Sequence, residues 1–174
     1  MVLADGDLRG YAVRGTGAEG LADQLPPRGV RGAGLTARLV RADWLASEHS
    51  ILVARRGARP PVWSDANLFA SAADARHISR LELREQQPGA RTRTLAPPAG
   101  APAGAAYARL RKGARDEYEL VWQEGPVIGI VVIQVPAGGT ARAPGPAAIG
   151  AIIAHAATAQ SVRIGNALRG QKSV

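Results

Sequence analysis

The 174-residue chain contains no cysteine, one methionine, and only three Trp, three Tyr and one Phe. Without cysteine it can hold no disulfide framework, thiol nucleophile, cysteine-type zinc site or lipid-modified thiol. With so few aromatics, any core must be built from aliphatic side chains. Leu, Ile, Val and Phe stand just above the roughly 20% below which disorder is the expected state. Negative charge is missing from the C-terminal end: no acid follows Glu124, whereas Arg142, Arg163, Arg169 and Lys172 do. Long hydrophobic runs are missing too. The best, 127–135 and 147–159, fall short of the ~20 residues a membrane helix needs, so no transmembrane segment is expected. The start, Met1-Val-Leu-Ala-Asp-Gly-Asp7, shows no charged region ahead of an apolar one, so no leader peptide is visible.

What the chain has in abundance is 35 Ala, 21 Gly, 12 Pro and 20 Arg against two Lys, for a net charge of +8. A basic chain attracts phosphates, which raises nucleic acid as a partner. The arginines are scattered, however. Arg55, Arg56 and Arg59 form one tight group, and Arg109, Arg111, Lys112 and Arg115 another. Asp116, Glu117 and Glu119 follow the second group directly and are expected to screen it. With Ala, Gly and Pro so common, the Arg excess resembles GC-rich codon usage, and the reading favours a solvated basic surface.

The length suits one domain. Residues 1–34 read as a loosely ordered N-terminal segment, since Gly and Pro recur without an apolar period; Leu8, Tyr11 and Val13 could form a short leading strand. A single α+β domain is expected over 35–170. Leu35, Leu39, Ala42 and Ala46 are spaced as in a helix ending near Ser47. Residues 49–54 and 61–69 read as a hairpin around the Arg-Arg-Gly-Ala-Arg-Pro-Pro turn. Ser71 and Asp74 form a helix-start signal, followed by Ala72, Ala75, Ile78 and Leu81. Residues 96–106, rich in Pro, Ala and Gly, read as a flexible connector.

Three strands follow, over 105–111, 117–123 and 127–135, the second alternating Tyr118, Leu120 and Trp122 with Glu119, Val121 and Gln123. The last element is a helix over about 146–168 carrying Ile149, Ile152, Ile153, Ala156, Ile164 and Ala167 on one stripe. The expected fold class is α+β: an antiparallel sheet of about five strands packed by two or three helices, in the order α-β-β-α-β-β-β-α.

No catalytic set is expected. His49, His77 and His155 have no partner at metal-like spacing, so no metal or other cofactor is called for. The carboxylate pairs Asp5/Asp7, Glu82/Glu85 and Asp116/Glu117 read as solvated ion pairs or turn chemistry. Gly15-Thr-Gly-Ala-Glu-Gly20 matches a dinucleotide-loop spacing without the strand and helix that such a loop needs. The weak binding candidates are Trp63, at a pocket rim, and Gln160 and Arg163, beside the isoleucine stripe of the last helix; an Arg in that position usually snorkels past the core edge.

The segments Ala42-Asp-Trp-Leu45, Val62-Trp-Ser-Asp-Ala-Asn-Leu-Phe-Ala-Ser-Ala-Ala-Asp-Ala75 and Glu119-Leu-Val-Trp-Gln-Glu-Gly125, with 156–164 following, resemble small secreted actinobacterial proteins of unknown function. Some of these are lipoproteins with the sandwich of the PsbP-like class. The resemblance implies an extracytoplasmic, non-enzymatic module and supplies no functional residues; with an α+β core and no catalytic set, the expected role is a binding or interaction module that takes a small molecule or protein in a groove between sheet and helices. The chain departs from the lipoprotein pattern in lacking a modifiable cysteine. The alternatives are a nucleic-acid-binding protein using its basic surface, and an enzyme whose site is assembled from distant residues.

Overall fold

The protein is described by a computed structural model covering residues 1–20, 44–57, 59–76, 91–137 and 144–171. Its strands are β1 (Tyr11–Gly20), β2 (Trp44–Ala54), β3 (Val62–Phe69), β4 (Arg91–Leu95), β5 (Ala106–Lys112), β6 (Arg115–Glu124) and β7 (Val127–Pro136). All join one antiparallel sheet in the order β1-β2-β3-β7-β6-β5-β4. A short helix, α1, covers 72–76, and a long one, α2, runs Pro146–Gln171.

This corrects the expected architecture. Seven strands replace about five, and among the described residues two helices flank them in a different order. The predicted helix ending near Ser47 fails where it can be seen, because Trp44 to Ser47 are the start of β2; its residues 35–43 lie outside the described ones. The spacing of Leu, Ala and Ala mimics a helical stripe, while pairing with β3 fixes a bulged strand, with a register shift between Trp44 and Ala46. Strand β4 escapes detection, and β1 is anticipated only at its start, as the short leading strand with Tyr11 and Val13, for a different reason. β1 places glycine at positions 15 and 17, and β4 is Arg-Thr-Arg-Thr-Leu, so neither carries the apolar alternation that marks a half-buried strand. Both are edge strands held by one neighbour.

The C-terminal meander is built as its sequence suggests. Gly113 and Gly125 open the two-residue loops of the β5–β6 and β6–β7 hairpins, each at φ 58, where a side chain would be strained. Strand β6 is buried on both faces from Asp116 to Trp122. On one face, the helix side, Ile149, Ile153, Ala156, Ala157 and Ile164 of α2 pack with Tyr118, Leu120, Trp122, Val131 and Ile133. Each fully buried aliphatic side chain there contributes about 1.5–3 kcal/mol. By length and composition α2 could cross a membrane, contrary to the expectation that no segment approaches that length; its stripe instead closes the sheet.

Two irregular segments flank α2. On one side Leu3 and Leu8 enter the core, the Leu3 amide donates to Ser64 Oγ at 3.2 Å, and Arg163 pairs with Asp7. On the other, the Pro/Ala/Gly-rich stretch is folded into turns closed by Ala101 N to Pro98 O and Ala105 N to Pro102 O. Thr158 Oγ1 donates to Gly100 O at 2.7 Å, which ties that stretch to the helix.

Candidate functional site

The face of the sheet away from α2, the far side, divides into two parts. Toward β5 and β6 it is buried: Leu110 and Val121 are inaccessible, and Val121 joins Ile128, Phe69, Trp44 and Ala75 in a second apolar cluster. Ser71 sets the start of α1 there, its hydroxyl accepting from the Asp74 amide at 3.2 Å and donating to the Asp74 carboxylate. Gln123 Nε2 fastens α1 to the β6–β7 hairpin by donating to Ala72 O at 2.6 Å and Gly125 O at 2.8 Å.

Toward β1, β2 and β3 the same face is only half-buried. One cross-strand row there runs Gly17, His49, Asp65, Ile130; the next runs Gly15, Ile51, Trp63, Val132. Strand alternation therefore puts Trp63 and Asp65 on one surface, with Ile51, Ile130 and Val132 as an apolar floor. His49 lies flat against the β1 backbone, because a Cβ on Gly17 would stand 2.3 Å from its Cε1. Asp65 is the electrostatic centre of the row. Burial drives its carboxyl from 3.8 up to about 6, the charge of His49 opposes that rise, and Glu19 adds to it. No side-chain hydrogen bond satisfies the Asp65 carboxyl among the described residues, although Gln160 Nε2 donates to its backbone carbonyl at 2.7 Å.

The residues singled out from the sequence are thus separated. Trp63 sits on the far side. Gln160 is fully buried on α2, anchored to Asp65 O, with its Oε1 unpartnered. Arg163 spends two donors on Asp7. Burial alone would raise the Asp7 carboxyl, but Arg163 and the Ala4 amide outweigh it and hold the group below its usual range. The other carboxylate pairs have structural partners where they are described: Asp5 accepts from the Val13 amide, and Asp116 accepts from Arg109 and Arg111. His155 is exposed on α2, and His77, Glu82 and Glu85 lie outside the described residues. The Gly15–Gly20 stretch is extended within β1 and forms no phosphate loop. Among the described residues no three His, Asp or Glu converge as metal ligands.

The sequence did not reveal the pairing of His49 with Asp65, nor Glu19 on the same face of β1 two residues along from Gly17. The i, i+2 spacing of Trp63 and Asp65 was a usable signal for one shared face. The registers that bring β1 and β2 alongside are long-range and leave no local trace.

No family model and no curated protein matches the chain. The PsbP-like resemblance therefore rests on patterning alone. Among solved structures the chain is similar to the extracellular domain of PknH from Mycobacterium tuberculosis, with a TM-score of 0.51, 11% identity and 90% of each chain covered. At that identity the likeness is one of fold.

Proposed function

We propose that this chain is a non-enzymatic interaction module acting outside the cytoplasm, and that it binds an amphipathic ligand on the far side of β1, β2 and β3. The observation that carries this reading is Asp65: a carboxyl displaced to about 6, without a side-chain hydrogen bond among the described residues, in a half-buried apolar floor beside Trp63. Such a group gains from a ligand that brings a positively charged donor to it and an apolar body to Trp63, Ile51 and Val132. The extracytoplasmic placement draws support from the fold shared with an extracellular domain. The nucleic-acid alternative is disfavoured here because the half-buried aromatic stands with Asp65 and Glu19 and not with the arginines.

The test uses tryptophan emission, since Trp44 and Trp122 are buried and Trp63 is not. Octylammonium should give a saturable change at pH 7.5, weaker at pH 5, and octanoate should give none. Asp65→Asn should abolish the response. Equal responses to both amphiphiles, or an unchanged response in Asp65→Asn, would overturn the reading.

A further inference from the structure

A second charged region lies on the helix side, where β4, β5 and β6 meet. Register sets Arg93 directly opposite Arg109. Like charges facing each other across adjacent strands cost stability, so a fold gains nothing from this arrangement in isolation. Of the acids that follow Arg115 in sequence, Asp116 pairs with Arg109 and Arg111 and offsets only part of the charge. Alternation along β6 sends Glu117 and Glu119 to the far side, and Asp116 alone faces the arginines.

Asp116 is itself buried, with a side chain 5% exposed, and it works as a brace. Arg109 Nη2 donates to its Oδ2 at 2.6 Å; Arg111 donates through Nε to Oδ1 and through Nη2 to Oδ2 at 3.2 Å. The Arg109 guanidinium also lies over the Tyr118 ring, 5.9 Å from its centroid. Two guanidiniums are thereby held in place, with 32% and 42% of their side chains still exposed and most of their N–H donors unused among the described residues. Arg93 is exposed beside them and forms no ion pair among the described residues. Two residues before Arg109, on the same face of β5, the buried Tyr107 hydroxyl has no hydrogen-bond partner among the described residues.

We propose that this corner binds a phosphate-type anion: Arg109 and Arg111, braced by Asp116, and Arg93 from the neighbouring strand grip its oxygens. Planar guanidiniums held at fixed positions suit a tetrahedral dianion, which offers several acceptors at once and compensates the excess positive charge. The phosphate can belong to a soluble monoester or to an anionic phospholipid headgroup. This site is remote in sheet order from the Asp65 row, and the inference stands independently of the ligand proposed there.

Arg109 and Arg111 are poor test positions, because removing either strands Asp116 in a buried place. Arg93 has no such burden. The full chain is titrated at low salt with glycerol 2-phosphate, and sedimented with vesicles containing phosphatidic acid, a phosphomonoester lipid, and with phosphatidylcholine vesicles. Arg93→Gln is compared with Arg56→Gln, which removes an equal charge from the exposed β2–β3 turn. We expect Arg93→Gln to weaken binding roughly tenfold and Arg56→Gln to stay within about twofold. Binding of the monoester, with displacement of the anionic vesicles by it, identifies a soluble phosphate ligand. Binding to the anionic vesicles alone, sensitive to Arg93→Gln, identifies a headgroup. Equal losses in both variants, equal losses on a single-stranded oligonucleotide probe, or no binding to either phosphate source would overturn the proposal.

Discussion

On the helix side of the sheet the Trp122 ring lies over Gly129, and on the far side the His49 ring lies over Gly17. In each case a Cβ added to the glycine would stand 2.3 Å from a ring atom. The local geometry is shared and the setting is not. Trp122 is enclosed by β7 and α2 in the main core, so its indole has nowhere to move. His49 is half-buried next to an edge strand and has solvent on one flank. One contact is part of a close-packed interior; the other keeps an ionisable ring flat beside Asp65. The comparison teaches that the sheet is close-packed where α2 covers it, and keeps half-buried ionisable groups on the part of the far side next to the β1 edge.

The strongest way to probe that contrast is Gly129→Ala. A methyl group inserted beneath a fixed indole forces the ring or the β7 backbone to shift. The expected loss is about 2–3 kcal/mol, read as a lower midpoint with unchanged slope in urea denaturation. A loss below about 1 kcal/mol would mean that the helix side is loosely packed, and the contrast between the faces would disappear.

Acidification separates the faces by sign. Asp65 has a folded-state pKa raised to about 6 from 3.8, so the native state holds a proton that the unfolded chain releases. Its contribution is fully present below about pH 3.8 and is lost as pH rises through about 6. Asp7 and Asp116 behave oppositely. Burial would raise both, but Arg163 for the first and Arg109 with Arg111 for the second hold them below 3.8. Their contribution is present above that value and is lost as pH falls through the lowered folded pKa values. Wild-type stability should therefore decline from about pH 4 toward pH 7 on account of Asp65, and fall again in stronger acid. Asp65→Asn should flatten the upper limb by about 1–2 kcal/mol and leave the acid limb in place. An unchanged upper limb would show that Asp65 is solvated and would remove the electrostatic centre of the candidate site.

How far these features could be read beforehand depends on whether their signal is local. The β6 alternation of Tyr118, Leu120 and Trp122, the isoleucine stripe of α2 and the Ser71–Asp74 cap are each written within a few residues, and each has its counterpart in the structure. β1 is different: its glycines look like a loop until β2 supplies the partner and His49 the reason for Gly17. The acids after Arg115 read as one screen for the basic cluster, yet the strand divides them between the two faces of the sheet. A strand sends alternate residues to opposite faces, so Asp116 pairs with Arg109 and Arg111 while Glu117 lies across the sheet with Gln134 and Arg115. Arg163 could be placed at the edge of the core, yet its partner Asp7 lies 156 residues away and could not be named.

The smallest expected effect bears most directly on the far side. Gly17→Ala should lower stability by less than about 1 kcal/mol, because the His49 ring can swing off the β1 backbone into solvent. It should nevertheless move the His49 ring resonances in an NMR spectrum and weaken the tryptophan response to octylammonium. The coupling is electrostatic: Asp65 feels the charge of His49 directly, and a displaced imidazole changes the field at the carboxyl that the ligand must meet. Gly129→Ala should do the reverse, costing stability while leaving the His49 resonances in place. If Gly17→Ala destabilises the fold as much as Gly129→Ala does, the β1 edge is as constrained as the core, and the far side has lost its claim to be the adjustable face.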